Sequence, residues 1–239
     1  MTTRTAKTSP LVVARITGVL FLISLVAGAF GEFYVPSQLI VSADATATAR
    51  NIIASDSLFR LGFACYLVEA VCDTALSLSL YVLLRPVHKD LALLAAFFGL
   101  VSTATFAVTE LFYFATPLIL GGGDYLKTFS PDQLNTLALL WLKLYGYGGG
   151  IFMVFIGVAT TIRGYLIFQS GYLPRALGVL LALGGLGFVT RNFALVLAPT
   201  YASDFFLLPA VLAVLLLTLW LLVKGVDVPK WEEKAALAE

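Results

Sequence analysis

The sequence predicts an all-α fold: a polytopic membrane helix bundle of six transmembrane helices with both termini cytoplasmic. Three observations carry this expectation. The 239 residues are 60% hydrophobic and only 12% charged, with a mean hydropathy of +0.95, whereas soluble domains carry about 25% charge. The apolar residues gather in six stretches, each able to supply the roughly 20 residues that a spanning helix needs. Turn chemistry separates the stretches, as at Arg85-Pro86-Val87-His88, Gly121-Gly122-Gly123-Asp124, Gly171-Tyr172-Leu173-Pro174 and Ala198-Pro199-Thr200. We read a single integral membrane domain over 1–239, with spans at about 11–35, 58–84, 91–120, 134–168, 173–197 and 202–223.

Span one contains Ala27-Gly28-Ala29, which resembles a signal-peptide cleavage site. Its apolar stretch exceeds the roughly 7–15 residues of a signal h-region, so it is expected to remain as a membrane helix. Between spans one and two, Asp44 precedes a short helical pattern over 45–53 and is placed to cap it. Before span four, Ser130-Pro131-Asp132-Gln133 reads as a helix start, with Ser130 at the N-cap and Pro131 at the first helical position. Pro117 is expected to end span three, and Pro209 to kink span six near its outer end. The charged tail 227–239 reads as a solvated or interfacial end, with Trp231 at headgroup level.

Orientation follows from the basic residues. One side holds Arg4, Lys7, Arg15, Arg85, Lys89, Arg163, Arg175, Lys224, Lys230 and Lys234, ten in all, against Arg50, Arg60 and Lys127 on the other. The basic-rich side is cytoplasmic by this rule, and an even number of spans returns both ends to it.

Five charges fall inside the spans: Glu69, Asp73, Glu110, Lys143 and Arg191. A charge in hydrocarbon costs a few kcal/mol or more, so it persists where it is paired, wetted or used. Glu69 and Asp73 are four apart, hence on one face of a helix. Counting about 1.5 Å per residue from the span ends puts Glu69 and Asp73 near mid-membrane. The same count puts Glu110, Lys143 and Arg191 in the outer half. With Tyr147 and Asn192 beside them, these residues form the candidate ligand site. In that arrangement Lys143 and Arg191 neutralise the carboxylates or hold an anionic group.

Glycines suggest close helix contacts. Gly146 and Gly150 make a small-xxx-small pair, within a run of four glycines that could also loosen the helix. Gly178, Gly184, Gly185 and Gly187 lie in span five and read as a packing face. Cys65 and Cys72 are seven apart in one span, roughly 10 Å along a helix axis, too far to bridge. With a single histidine, His88, no zinc site is expected, and no catalytic or nucleotide-binding motif is present. The net charge of +1 gives no field for nucleic acid. No cofactor is expected, and the bilayer is the expected partner.

Several short segments resemble one family. They are Ala14-Arg15-Ile16-Thr17-Gly18, Asp44 to Ala47, Leu58-Phe59-Arg60-Leu61-Gly62, Leu80 to Val87, Gly171-Tyr172-Leu173-Pro174-Arg175-Ala176-Leu177-Gly178, and Leu219 to Gly225. Together they resemble the uncharacterised bacterial family of DUF4386-domain membrane proteins, over about 15–231, and Arg60 and Asp73 match its pattern. The resemblance implies an integral protein of a bacterial inner membrane and brings no activity with it.

Three readings of the charges stand at this point. They hold a small polar or ionic ligand that is bound or transported, with proton coupling through Asp73 or Glu69. They serve as internal salt bridges of a structural or signalling component. Or the paired carboxylates run acid–base chemistry on a lipid-like substrate.

Overall fold

The structure is a computed structural model, and it describes residues 9–238. Arg4 and Lys7, counted above for orientation, lie outside the described residues. Among these residues there is no strand. Nine α-helices are present: α1 Pro10–Gly28, α2 Val35–Leu39, α3 Ala45–Ala54, α4 Asp56–Leu84, α5 Lys89–Leu120, α6 Pro131–Ser170, α7 Arg175–Leu197, α8 Leu208–Val223 and α9 Val228–Leu237. A π-helical turn, Ala29–Tyr34, joins α1 to α2. Six helical stretches are long and apolar enough to cross a membrane: Pro10–Leu39, Asp56–Leu84, Lys89–Leu120, Pro131–Ser170, Arg175–Leu197 and Asp204–Val223. Large apolar side chains remain exposed along them, Val71 at 72% and Leu111 at 63% among them. Water opposes such a surface and lipid accepts it.

Several boundaries differ from the sequence expectation. The fourth span has 40 residues, about 60 Å of helix against a hydrocarbon core of about 30 Å, so its ends extend beyond the lipid tails. Pro117 does not end α5, which runs on to Leu120; a proline in the last turn removes one bond and leaves the rest of the ladder intact. Pro209 does not kink a helix but opens one. It sits in the first turn of α8, where the missing N–H is one of the donors left unpaired anyway.

Both predicted caps are present. The Ala47 N–H donates to Asp44 Oδ1 at 2.8 Å. Ser130 and Gln133 form a reciprocal pair, with the Gln133 N–H donating to Ser130 Oγ at 3.3 Å and the Ser130 N–H to Gln133 Oε1 at 2.8 Å. At the other ends, Gly171 and Gly225 follow α6 and α8 with φ of +75° and +74°, the left-handed conformation that terminates a helix and favours glycine. Cys65 and Cys72 are free thiols, as their spacing requires.

The chain forms two compact units. The first takes the chain up to Leu22, Asp73–Val101 and the part from Met153 onward; the second takes Ile23–Cys72 and Ser102–Phe152. The core of the first is aliphatic, built around Leu83, Leu84, Leu166, Ile167, Leu217 and Leu221. The core of the second is aromatic, around Phe59, Tyr66, Phe106 and Tyr113 with Val35 and Leu142.

In the first unit the α7 glycines form the expected packing face. Gly178 faces the backbone of Gly164 and Phe168 on α6, Gly185 faces Gly157 and Thr161, and Gly184 faces Ala210 on α8. The Gly146/Gly150 expectation is corrected. Nothing lies within 4 Å of a Cβ added at Gly146; the close glycine on that stretch is Gly148, packed on Thr109 of α5 in the second unit. The helix is unbroken through all of them.

The tail is also more ordered than expected. Its Trp231 side chain packs against the first unit's core. The Trp231 Nε1–H donates to the Leu83 carbonyl at 2.9 Å, which also accepts from the Tyr172 hydroxyl at 2.7 Å. Leu83 lies in the last turn of α4, whose carbonyls have no helical partner, so the tail satisfies an orphan. Burial pushes the Tyr172 hydroxyl above its ordinary pKa. The Asp227 carboxylate caps α9 and is held below the usual carboxylate range by its hydrogen bond with Lys230. Its contribution is therefore present at neutral pH and is lost as pH falls through that depressed value.

The glycine face gives a direct test. A Cβ at Gly184 would lie 2.5 Å from Ala210 Cα, so Gly184→Ala should cost about 1–3 kcal/mol by overpacking. Gly146→Ala, in open space, should be neutral or gain up to about 1 kcal/mol from helix propensity. Thermal unfolding in detergent would compare the two; equal midpoints would refute the packing assignment.

Candidate functional site

The second unit assembles an acidic, aromatic centre. Besides Asp56 and Asp132 in first turns, three carboxyl groups lie on its spanning helices: Glu32 in the π-helical turn, Glu69 on α4 and Glu110 on α5. Its basic residues, Arg50, Arg60, Lys127 and Lys143, are all exposed. Arg60 and Lys127 bond local partners, Asp56 and Asp124, each at 2.6 Å. Glu110 is 2% exposed, and neither of its carboxyl oxygens has a hydrogen-bond partner. The Glu32 carboxyl is close enough to act on it electrostatically, and the Tyr145 hydroxyl lies beside it. Glu69 packs against Gly28, where an added Cβ would lie 3.0 Å from its Oε1.

Local sequence explains how this centre is placed. The Val35 N–H bonds the Phe30 carbonyl in the π-helical turn, and Pro36, the next residue, has no N–H to offer. The Gly31 carbonyl is left without a helical donor, and the buried Tyr66 hydroxyl donates to it at 2.7 Å. π-Helical turns inside helices are frequent at functional sites. Tyr113 follows Glu110 by three residues and so shares its face of α5. Its ring stacks on Phe59 with centroids 4.2 Å apart. Tyr66, Tyr113 and Tyr145 meet pairwise at 5.2, 5.4 and 5.8 Å between centroids.

The remaining predicted residues lie apart from Glu110 in kind or in unit. Lys143 and Tyr147 are exposed on α6, as its length allows. Asp73, Arg191 and Asn192 belong to the first unit. There Arg191 does not neutralise an intramembrane carboxylate. Its Nη2 lies 2.9 Å from Asp204 Oδ1, in a 3-10 turn ahead of α8, and its Nη1 donates to Asn192 Oδ1 at 3.2 Å. Asn192 in turn donates to the Phe188 carbonyl at 2.8 Å. This local network ties α7 to the segment leading into α8.

The cation near Asp73 is Arg163, which sequence reasoning assigned to the cytoplasmic rim. Its side chain is buried and donates to the Ala95 carbonyl at 3.4 Å and Ser77 Oγ at 3.5 Å, with Asp73 acting on it electrostatically. Gly99 makes room for it: a Cβ there would lie 2.5 Å from Arg163 Nη2. A separate cavity of about 830 Å³ in this unit is lined mostly by apolar residues, Val13, Ile16, Leu78, Val82 and Trp231 among them. Among the described residues, no three His, Cys, Asp or Glu side chains converge in a way that could hold a metal ion.

An all-helical chain with six membrane-length apolar helices and buried ionisable groups between them is a multi-pass membrane protein. The chain belongs to the DUF4386 family, described as a domain of unknown function, whose model matches residues 16–225. It is also similar to an uncharacterized protein of Archaeoglobus fulgidus, 27% identical over 120 residues. That match covers 50% of this chain and 57% of the relative, so the chain spans little more than half of that protein's length. No solved structure matches.

The Arg163 contacts predict a coupled pair. Arg163→Gln should lower the thermal midpoint. Because Asp73 is only half-buried, the loss should fall below the about 3–5 kcal/mol of a fully buried pair. Asp73→Asn combined with Arg163→Gln should recover part of it. A double mutant that simply adds the two single losses would refute the coupling.

Proposed function

We propose that this protein binds or transports a small ionic ligand, and that the ligand is a cation held by Glu110. One observation carries the reading: a fully buried carboxyl with both oxygens unpartnered, in a unit whose basic side chains are all exposed. Burying a charge without a partner is costly, so a cation entering this centre supplies what the protein does not. Glu32 adds a second carboxyl within reach of the first. Arg191 and Asn192 serve the α7–α8 connection in this reading. Asp73 and Arg163 form a polar pair of the first unit.

A second reading, a structural or signalling component, draws its support from the Arg191–Asp204 bond and the glycine-packed α7. The two separate on Glu110→Gln. Under the ligand reading, this variant keeps or gains stability, because nothing in the fold bonds the carboxyl. It also loses the thermal stabilisation that sodium, potassium, ammonium or tetramethylammonium chloride gives the parent protein. Under the structural reading it unfolds at lower temperature and no salt discriminates it from the parent.

The chain is proposed to be one integral membrane domain of the cytoplasmic membrane with both ends inside. All four unit boundaries fall inside continuous helices, α1, α4, α5 and α6, and Arg85, Lys89, Arg175 and Lys224 are read as flanking the spans on one side. In a background with Cys65 and Cys72 replaced by alanine, a membrane-impermeant maleimide applied to intact cells should label Thr128→Cys and spare His88→Cys. The reverse pattern would invert the topology.

A further inference from the structure

Independently of Glu110, we infer that the first unit carries a phospholipid site. The cavity between α1, α4 and α9 takes one acyl chain of a lipid whose headgroup joins a phosphate to a primary ammonium. Arg85 meets the phosphate and Glu232 the ammonium. The cavity measures about 830 Å³, within the range of about 300–1,000 Å³ usual for ligand sites. Two helices each give it one apolar face. Val13, Ile16 and Leu20 stand three and four residues apart on α1, and Ala75, Leu78 and Val82 repeat that spacing on α4. From Pro10 to Leu20, and from Ala75 to Arg85, each wall runs about 15 Å. That is half of a hydrocarbon core of about 30 Å, the depth over which the chains of one leaflet lie. Ile16 and Leu78 line the cavity and are also exposed, so it opens along its side and a chain can enter from the bilayer.

The polar groups gather at one end. Arg85 directly follows α4, and α9 lies over that end, held there by the Trp231 Nε1–H on the Leu83 carbonyl. Over the cavity α9 presents Glu232, Ala235 and Ala236, and the two alanines are too short to fill it. Among the described lining residues, Arg85 and Glu232 are the charged ones. Both are exposed, and among the described residues neither forms an ion pair. Apolar walls one leaflet deep beneath two opposite charges match an amphiphile with a zwitterionic head. The guanidinium fork fits phosphate oxygens, and a carboxylate accepts charge-assisted hydrogen bonds from an ammonium. A purely anionic headgroup meets repulsion from Glu232, and a quaternary ammonium offers it no N–H.

The test is native mass spectrometry of the full-length protein in detergent, incubated with equal amounts of phosphatidylethanolamine, phosphatidylcholine and phosphatidylglycerol carrying the same acyl chains. The inference expects phosphatidylethanolamine to be retained several-fold over the other two. Arg85→Gln should lose most of that retention, whereas Lys89→Gln, a nearby basic position that does not line the cavity, should keep it. Glu232→Gln should erase the preference over phosphatidylcholine and raise the retention of phosphatidylglycerol. Leu78→Trp should fill the groove and lower retention of all three lipids; Ile16→Trp does the same from the α1 wall should Leu78→Trp fail to fold. Equal retention of the three lipids by the parent protein would mean ordinary surface lipid and overturn the inference. A preference for phosphatidylglycerol would show attraction to anionic charge alone and overturn it too. So would retention of phosphatidylethanolamine that survives the tryptophan variants, because the lipid would then sit elsewhere.

Discussion

Everything in this molecule depends on the rule that hydrocarbon supplies no hydrogen bonds. Backbone groups must be satisfied inside the helices, and charged side chains must find a partner, water or a ligand. The first requirement accounts for the six long helices and the absence of any strand among the described residues. It also accounts for the care taken where the helical ladder fails. Pro36 leaves the Gly31 carbonyl orphaned and Tyr66 fills it; the end of α4 leaves the Leu83 carbonyl and both Tyr172 and Trp231 fill it. Side chains far apart in sequence are fixed by these repairs, so the location of a proline or a helix end propagates into the packing of aromatic rings.

The second requirement is met differently in the two units. In the first, ionisable groups are satisfied within the protein: Arg191 by Asp204 and Asn192, Arg163 by Ser77, the Ala95 carbonyl and the field of Asp73. In the second, the acidic residues outnumber anything basic that is buried, and Glu110 has no bonded partner. Their packing follows the same division. The first unit brings helices together with glycines, letting backbones touch. The second adds an aromatic core to its own glycine contacts, such as Gly148 on Thr109.

How much of this was legible in the sequence depends on the range of the interaction. Hydropathy is local and strong, and it located all six spans to within several residues. Capping is local too, and Asp44 and Ser130 act as their neighbours imply. The α7 glycine face follows from one helix's own periodicity. Pairing of intramembrane charges is not local. Depth counted along each helix put Lys143 and Arg191 level with the carboxylates, but a 40-residue α6 leaves Lys143 exposed, and depth says nothing about which way a residue faces. Arg163 was misread for the same reason: a basic residue near a helix end looks like a rim residue until its face is known. Tyr66 and Tyr113 were not singled out, because the search for site neighbours followed Lys143 to Tyr147 and Arg191 to Asn192. The signal was there in their spacing, each three residues from a carboxyl on its own helix, Tyr66 before Glu69 and Tyr113 after Glu110.

The persistence of Glu110 is the feature that ordinary stability cannot explain. A glutamine there would keep the shape of the side chain and remove the charge, and a leucine would suit the aromatic surroundings better still; replacing buried ionic groups by apolar ones is often stabilising. Neither oxygen of the carboxyl meets strict hydrogen-bond geometry, although the Tyr145 hydroxyl lies beside it. This is why Glu110 carries the ligand reading proposed above. The π-helical turn carrying Glu32 departs from regular helix beside this centre, and Pro36 supplies no N–H that could restore the ladder there.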